Sequence, residues 1–256
     1  MSDAKEDPDA ARVVGADRVL AVLLELGQHP RGASLDTLAS AIGSPKPTIH
    51  RALAALRRAG LASQLTRGTY VLGDEFLRLA FLNLSQRPET LRIAPILERL
   101  SERYGETAHY AVLDGTEVIY RAKADPPAGA VRLTSVVGGR NPAYCTAVGK
   151  LLLSARIQSR DELVALLGEG PLPRRTDRTI TDIDAIWREL VEIRERGYAV
   201  DDQENEAGVN CVAVPVRVDS PSRGLGAISV SALAFRLPLS ELIADVPAIL
   251  ASIDGP

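Results

Sequence analysis

The residues with the clearest chemistry are cations on one side of a predicted helix, within the segment 43–58. Ser44 is a good helix N-cap, and Pro45 then falls at the first helical position, where its missing N–H costs nothing. Apolar residues recur on one side of this helix, namely Ile49, Ala52, Leu53 and Leu56. Small and cationic residues fall on the other side, namely Pro47, His50, Arg51, Ala54 and Arg58. A short helix with a buried back and a cationic front can lie in the DNA major groove.

The segments around this helix predict the rest of a DNA-binding module. Two apolar stripes precede it and indicate two helices, the first through Val19, Leu20, Leu23 and Leu24 and the second through Leu35, Leu38, Ala39 and Ile42. Ser34 is the expected N-cap of the second helix, and Gly43 ends it in the tight turn of a helix-turn-helix. After the cationic helix, 61–64 and 69–72 are expected to pair as a hairpin, a wing with Arg67 at its tip.

The charge distribution favours DNA as the partner of this module. From Gly43 to Leu72 the chain carries five basic residues and no acidic one, a local charge of +5, whereas the whole chain has −3. A basic patch on a mildly acidic protein is what attraction to phosphates requires. The candidates for phosphate or minor-groove contacts are Lys46, Arg57, Arg58 and Arg67, and those for base edges are Thr48, His50 and Arg51. The alternative is a solvated helix face without a partner.

Residues 14–73 resemble the winged helix-turn-helix of the IclR family of bacterial transcriptional regulators. The resemblance is carried by Lys46-Pro47-Thr48-Ile49-His50-Arg51, Leu53, Leu56, Gly60 and Tyr70-Val71-Leu72-Gly73. Position 47 is usually serine in that family, and proline removes one small polar group from the DNA-facing side. Proline is sterically allowed in the first turn of a helix.

Length and composition bound the rest of the chain. Its 256 residues suit two domains, and 46% apolar with 25% charged residues is typical of a globular protein. Residues 1–13 are expected to form a loose acidic tail rather than a signal peptide. There is no apolar run long enough to span a membrane, and the two cysteines do not make a disulfide framework, which favours the cytoplasm.

The segment 74–87 is predicted to be a linker helix that is too apolar for a solvated surface. One interpretation is that it packs against its own domain. The favoured one is packing against the same helix of a second subunit, which would make the protein a homodimer or homotetramer. Such an assembly would hold two reading heads one DNA turn apart, as a palindromic operator requires.

The remaining residues, 88–256, predict an α+β domain with a mainly antiparallel sheet. The expected strands are 108–113, 117–123, 131–136, 198–201, 211–218 and 227–233. The expected helices are 90–104, 146–154, 160–167, 182–196 and 239–252. In the strand 108–113, His109 and Tyr110 face opposite ways, so that only one of them can point inward.

This half of the chain also resembles the IclR family, whose effector domain is GAF-like. The matching runs are 146–150, 179–181, 196–202, 208–215 and 227–231, with Glu204. The resemblance implies effector-binding residues at Asn141, Cys145, Ala147, Val148, Asp201, Cys211, Ser229 and Ser231. Free N–H groups at the helix start would suit a carboxylate, and two serines two residues apart on a strand face one side.

Taken together, the sequence predicts a one-component transcriptional regulator, a repressor rather than an activator, that binds double-stranded DNA and a small metabolite such as an organic acid. We expect no enzyme activity, cofactor or metal, because the known phosphate-loop, zinc and hydrolase spacings are missing. Two alternatives stay open. One is a regulator without an effector, whose second domain only oligomerises. The other, a remote one, is a cysteine enzyme or redox sensor in which a helix start lowers the pKa of Cys145 and His109 is its partner.

Overall fold

The chain divides into two compact units, residues 1–86 and 87–256, in a computed structural model. The structure describes residues 15–85, 88–126, 133–217 and 225–254. The predicted tail, 1–13, lies outside them. Within the described ranges, no helix has the length and apolar character needed to cross a lipid bilayer.

The first unit is a winged helix-turn-helix. Its elements are α1 (Gly15–Gly27), β1 (Ala33–Ser34), α2 (Leu35–Ile42), α3 (Lys46–Arg58), β2 (Ala62–Thr66), β3 (Thr69–Leu72) and α4 (Asp74–Ser85). The three strands form an antiparallel sheet in the order β1-β3-β2, of which β1 was not expected from the sequence. The apolar stripe of α3 is buried as predicted, which turns the opposite side of α3 outward.

Local signals at the helix ends are confirmed for α2 and wrong for α3. The hydroxyl of Ser34 accepts the backbone N–H of Thr37, and Gly43 adopts the left-handed conformation at φ 65°. By contrast, α3 starts one residue later than expected, with Pro45 rather than Ser44 at the N-cap position and no side-chain cap. Pro47 then occupies the second helical position, where a backbone N–H has no intrahelical acceptor, so proline removes no hydrogen bond of the helix.

Two helices of this unit expose apolar side chains. Of the stripe predicted for α1, Val19 and Leu23 pack against the core, whereas Leu20 and Leu24 are 56% and 72% exposed. Val22 and Leu26, which the stripe left out, are buried. Along α4, large apolar side chains are also exposed, namely Phe76, Leu77, Leu79, Phe81 and Leu82. Large apolar side chains exposed at several neighbouring positions of one helix, as in α4, are typical of a surface that another molecule covers.

The second unit is an α+β domain built on one antiparallel sheet, as predicted. Its strands are β4 (Thr107–Asp114), β5 (Glu117–Ala124), β6 (Arg140–Pro142), β7 (Ala199–Asp202), β8 (Val209–Arg217) and β9 (Leu225–Leu233), in the order β6-β5-β4-β9-β8-β7. Its helices are α5 (Pro88–Tyr104), α6 (Ala147–Arg156), α7 (Arg160–Leu167), α8 (Ile183–Arg196), α9 (Leu239–Ala244) and α10 (Val246–Asp254). A short 3-10 turn (Ala143–Cys145) precedes α6.

Side chains alternate between the two faces of the sheet, and each face is covered by its own hydrophobic core. The face that carries Ala111 packs with α6 and α8, whereas the face that carries Tyr110 packs with α5, α9 and α10. His109 therefore lies on the α6 side of the sheet and Tyr110 on the other. This orientation could not be decided from the sequence.

Two predicted elements were wrong. In the expected strand 131–136, residues 133–136 are not extended in the sheet, and residues 131–132 lie outside the described ranges. The place beside β5 is taken by β6 instead. The expected last helix is broken at Asp245 into α9 and α10, because the ring of Pro247 would clash with the carbonyl of Ile243 in a continuous helix.

Candidate functional site

The outer side of α3 is a cationic surface. His50, Arg51, Arg57 and Arg58 are exposed, whereas Thr48 is half-buried at its edge. Lys46 forms an ion pair with Asp36 of α2 at 2.9 Å, so its charge is partly compensated. Among the described residues, none forms an ion pair with the three arginines. Their charges remain available for phosphates or base edges.

The wing adds a further cation at a separate point. β2 and β3 pair with an irregularity between Gln64 and Thr66, and the turn between them exposes Arg67. Gly73 closes the hairpin against the end of α3, since a Cβ there would lie 2.1 Å from the carbonyl oxygen of Gly60. The module therefore offers a helix and a hairpin tip, both cationic, as the predicted contacts require.

The second unit contains a cavity of about 250 Å³ between the sheet and the start of α6. Its floor is a polar row across three strands, because Asp201 is opposite Cys211 and Cys211 is opposite Ser231. A second row brings Ser229 of β9 opposite His109 of β4. Side chains that are directly opposite in an antiparallel sheet share one face, so these groups all point into the cavity.

The start of α6 forms the facing wall. The hydroxyl of Thr146 accepts the N–H of Gly149, and Ala147 and Val148 line the cavity with the first turn of the helix. Gly149 lets the preceding turn approach closely, since a Cβ there would lie 2.3 Å from the carbonyl oxygen of Ala143. The first N–H groups of a helix have no intrahelical acceptor and attract anions.

The structure brings together seven of the eight residues expected from the family resemblance: Asn141, Ala147, Val148, Asp201, Cys211, Ser229 and Ser231 all line the cavity. Cys145 does not line it, because its thiol is buried against Pro142 and Asn205. Burial and the nearby Asp201 raise the pKa of Cys145 to about 12. The expected lowering of that pKa was wrong, and His109 contacts serines rather than this thiol.

The sequence did not assign several other groups of the cavity, including Tyr120, Ser135, Arg175 and Asn205. Asn205 directly follows Glu204, whereas Ser135 and Arg175 lie on loops outside the quoted motifs. Alternation along β5 was the only signal for Tyr120. Its ring centroid is 4.8 Å from that of His109, and its hydroxyl accepts a hydrogen bond from Asn141 at 3.3 Å. Burial raises the pKa of Tyr120 to about 12, so its hydroxyl is neutral.

His109 is a neutral group in this cavity. Burial, followed by the nearby ammonium of Lys123, lowers the pKa of His109 to about 3. One ring nitrogen lies 2.8 Å from the hydroxyl of Ser135 and the other 3.3 Å from that of Ser231. A neutral imidazole has one donor and one acceptor, and both have partners here.

A buried ion pair supports the other side of the cavity. Lys150 of α6 is 1% exposed and bonds Glu204 of the turn that follows β7, with Glu189 of α8 at 3.7 Å. In the same turn, a carboxylate oxygen of Asp201 accepts the N–H groups of Glu204 and Asn205 at 2.7 and 3.3 Å. Burial raises the pKa of Asp201 to about 7, against the lowering effect of Lys150. Within the described ranges, no group of acidic, histidine and cysteine side chains could hold a metal ion.

Two family models match the chain, and together they span nearly all of it. Residues 15–66 match the IclR helix-turn-helix domain, and residues 84–253 match the C-terminal domain of the bacterial transcriptional regulator IclR. The chain is 32% identical over 238 residues to the DNA-binding transcriptional repressor YiaJ of Escherichia coli strain K12, covering 93% of this chain and 83% of that protein.

Two solved structures show the same architecture. An IclR transcriptional regulator from Alicyclobacillus acidocaldarius has a TM-score of 0.79 at 28% identity, covering 95% of this chain and 97% of that one. An IclR homologue from Microbacterium hydrocarbonoxydans, in complex with 4-hydroxybenzoate, has a TM-score of 0.72 at 25% identity, covering 94% and 99%. The chain belongs to the IclR family of DNA-binding transcriptional regulators, with an N-terminal helix-turn-helix and a C-terminal effector-binding domain.

Proposed function

We propose that this regulator is a repressor that holds a palindromic operator until a small organic acid enters the cavity of its second unit. The observation that carries the proposal is the pairing, in one chain, of a cationic α3 with a polar cavity closed by the start of a helix. The name of the Escherichia coli relative supports repression, and the 4-hydroxybenzoate held by the Microbacterium homologue supports an organic acid.

On the DNA side, we infer that α3 enters the major groove and that the wing contacts the backbone. His50 and Arg51 are exposed on the first two turns of α3, and the first residues of a recognition helix are those that contact base edges. Arg57, Arg58 and Arg67 are exposed cations placed for phosphates, whereas Lys46 would first have to leave Asp36. Binding should therefore weaken steeply with salt.

On the effector side, the cavity suits a small anion. The first turn of α6 offers N–H groups and the cavity floor offers hydroxyls. The proposed ligand contacts are the seven predicted residues among those that line the cavity. An anion that binds one arrangement of the domain better than another shifts the population toward that arrangement. We expect this shift to change the spacing of two reading heads and so the affinity for the operator.

We further propose that the protein is a dimer or a tetramer, joined in part through the apolar side chains of the first unit. Leu20 and Leu24 of α1 and Phe81 of α4 are each more than half exposed, which a second copy would cover. Leu24→Glu should then lower the mass measured by sedimentation and weaken operator binding together. An unchanged mass would mean that this surface does not join subunits.

The test of the proposed function is fluorescence anisotropy with DNA from upstream of the regulator's own gene and with scrambled DNA, at two salt concentrations. We expect selective, salt-sensitive binding that an organic acid reverses. Such a regulator would act in the cytoplasm. Equal weak binding to both DNAs would contradict control at that site. Operator binding that no acid changes would favour a regulator without an effector.

A further inference from the structure

A second cavity, of about 310 Å³, lies beside the one described above. The chain segment 141–146 separates the two, because Asn141 and Thr146 line the first cavity whereas Pro142 and Tyr144 line the second. Arg175 lines both cavities. Among the residues that the structure describes, none of the seven predicted effector contacts lines the second cavity, so it is a separate site.

Most of the wall of this second cavity is apolar. Five of its eight lining residues have apolar or aromatic side chains, and they come from the end of β6, the 3-10 turn, the end of α7 and the loop after α7. They are Pro142, Tyr144, Leu167, Leu172 and Pro173. An apolar cavity with a few polar groups is the usual form of a site for a small molecule.

Hydrogen bonds hold these walls in place. The hydroxyl of Tyr144 donates to the carbonyl oxygen of Pro173 at 2.5 Å, which joins the 3-10 turn to the loop after α7. The N–H of Ala143 donates to the carbonyl oxygen of Thr116 at 2.9 Å, which joins the same turn to the hairpin of β4 and β5. Because the walls are fixed in this way, a ligand has little ordering to bring about when it binds.

The volume of the second cavity suits a molecule of one or two rings. A closed apolar cavity of roughly 150 Å³ accepts benzene. The second cavity has about 310 Å³ and is therefore large enough for two fused rings. Its exposed lining residues, among them Thr116 and Pro173, leave an entrance from the solvent.

Arg175 can contact an aromatic ring in this cavity. Its Nε donates to the carbonyl oxygen of Asn205 at 3.1 Å, and among the described residues no carboxylate forms an ion pair with it. A guanidinium without an anionic partner lies favourably over the face of an aromatic ring. An anion would instead bind in the first cavity, because only there does it meet Arg175 together with the N–H groups at the start of α6.

Glu117 supplies a hydrogen-bond acceptor to the same cavity. Its Oε2 accepts from Arg140 at 3.2 Å, and its side chain is 42% exposed. A carboxylate has about four acceptor sites, so Glu117 can also accept the N–H or O–H of a ligand. The same carboxylate would repel a ligand carboxylate, which again favours an uncharged molecule.

We propose that the second cavity binds an uncharged aromatic molecule with one N–H or O–H donor, such as indole or a phenol. The ring packs among the apolar side chains and against the guanidinium of Arg175, and the donor bonds the carboxylate of Glu117. This site is distinct from the effector cavity and stands whether or not the effector is an organic acid. It gives the regulator a second place at which a small molecule can bind.

The test uses matched probes in calorimetric titrations of the full chain. We expect indole to bind at one site with a dissociation constant of about 1 mM or lower. Because 1-methylindole lacks the donor, it should bind about threefold or more weakly than indole. Cyclohexanol has no aromatic face and should bind about twofold or more weakly than phenol. Failure of both indole and phenol to bind, or equal binding within each pair, would overturn the proposal.

Two variants locate the binding site. Thr116 is exposed and lines the second cavity, so Thr116→Trp should fill the entrance and weaken indole binding about tenfold or more without disturbing the fold. Glu169→Trp is the matched control, because Glu169 is equally exposed but lines neither cavity. Glu117→Ala should remove the preference for indole over 1-methylindole. Equal indole binding in the two tryptophan variants would overturn the site, and a preference that survives Glu117→Ala would overturn the role of Glu117.

Competition with benzoate tests the absence of charge on the ligand. In saturating benzoate, the affinity for indole should stay within about twofold of its value without benzoate, because the acid does not occupy the second cavity. If benzoate displaces indole, and Thr116→Trp prevents the binding of both, the cavity binds acids and the proposed ligand class is overturned.

Discussion

Replacing the buried Lys150 by methionine gives a direct test of how the cavity is held together. Its ammonium is 1% exposed and bonds Glu204, whose side chain is 6% exposed and whose second carboxylate oxygen has no partner. Without the lysine, Glu204 stays buried without its ion pair. Removing one partner of a buried pair typically costs about 3–5 kcal/mol. This would be a large share of the roughly 5–15 kcal/mol that stabilises a domain.

The chain provides its own probe for this measurement. Trp187, the only tryptophan of the sequence, lies on α8 of the second unit, so its fluorescence in urea follows that unit alone. The control is Arg160→Met, which removes an ion pair with Asp184 on the surface between α7 and α8. Water screens this exposed pair, so we expect its loss to leave the urea midpoint almost unchanged.

Lys150→Met could lose stability because Glu204 is left unpaired or because methionine packs poorly. Two further measurements distinguish these causes. Adding Glu204→Gln to Lys150→Met should recover a good part of the lost free energy, because the unpaired charge is gone. The pKa of Glu204 is already raised by burial and lowered by Lys150, so losing the lysine raises it further. The carboxyl then takes up a proton as the pH falls, and the cost of Lys150→Met should be smaller at about pH 5 than at about pH 8. The reasoning would be refuted if Lys150→Met lost no more stability than Arg160→Met. It would also be refuted if adding Glu204→Gln increased the loss at every pH.

Three other outcomes are expected. Arg51→Ala should cost about 1–3 kcal/mol of operator binding in anisotropy titrations if Arg51 contacts a base, whereas an equal loss on scrambled DNA would assign it to phosphates. Changing both Ser229 and Ser231 to alanine should keep operator binding and abolish its response to the effector, and a normal response would move the ligand elsewhere. The pKa of Asp201 is raised to about 7, so the folded protein holds a proton that the unfolded chain releases. The free energy of unfolding should therefore fall as the pH rises from about 4 to 7, by up to about 1.4 kcal/mol per pH unit, and Asp201→Asn should flatten that slope in urea titrations; equal slopes would contradict it.

Signals that act over three or four residues were readable from the sequence. The N-cap at Ser34 and the left-handed Gly43 depend on bonds within one turn, and both are confirmed. The error at Ser44 is equally local, since Pro45 and Pro47, two residues apart, each suit the first turn of a helix and allow a start at either position. In the second unit, the resemblance to a known family contributed the residues that now line one cavity, where composition and spacing alone predicted only an α+β domain.

The sequence by itself determined the three-helix module with its wing, the local charge and the alternation of side chains along each strand. Each of these depends on residues that are close together in the sequence. It also determined that His109 and Tyr110 face opposite ways. Only the tertiary structure decided which of them faces the cavity, because β4 pairs with β9, which is more than a hundred residues away. The same holds for Lys150 and Glu204, 54 residues apart, whose pairing depends on how α6 packs against the sheet. No local pattern encodes such pairs, since their energy comes from burial that exists only once the chain has folded.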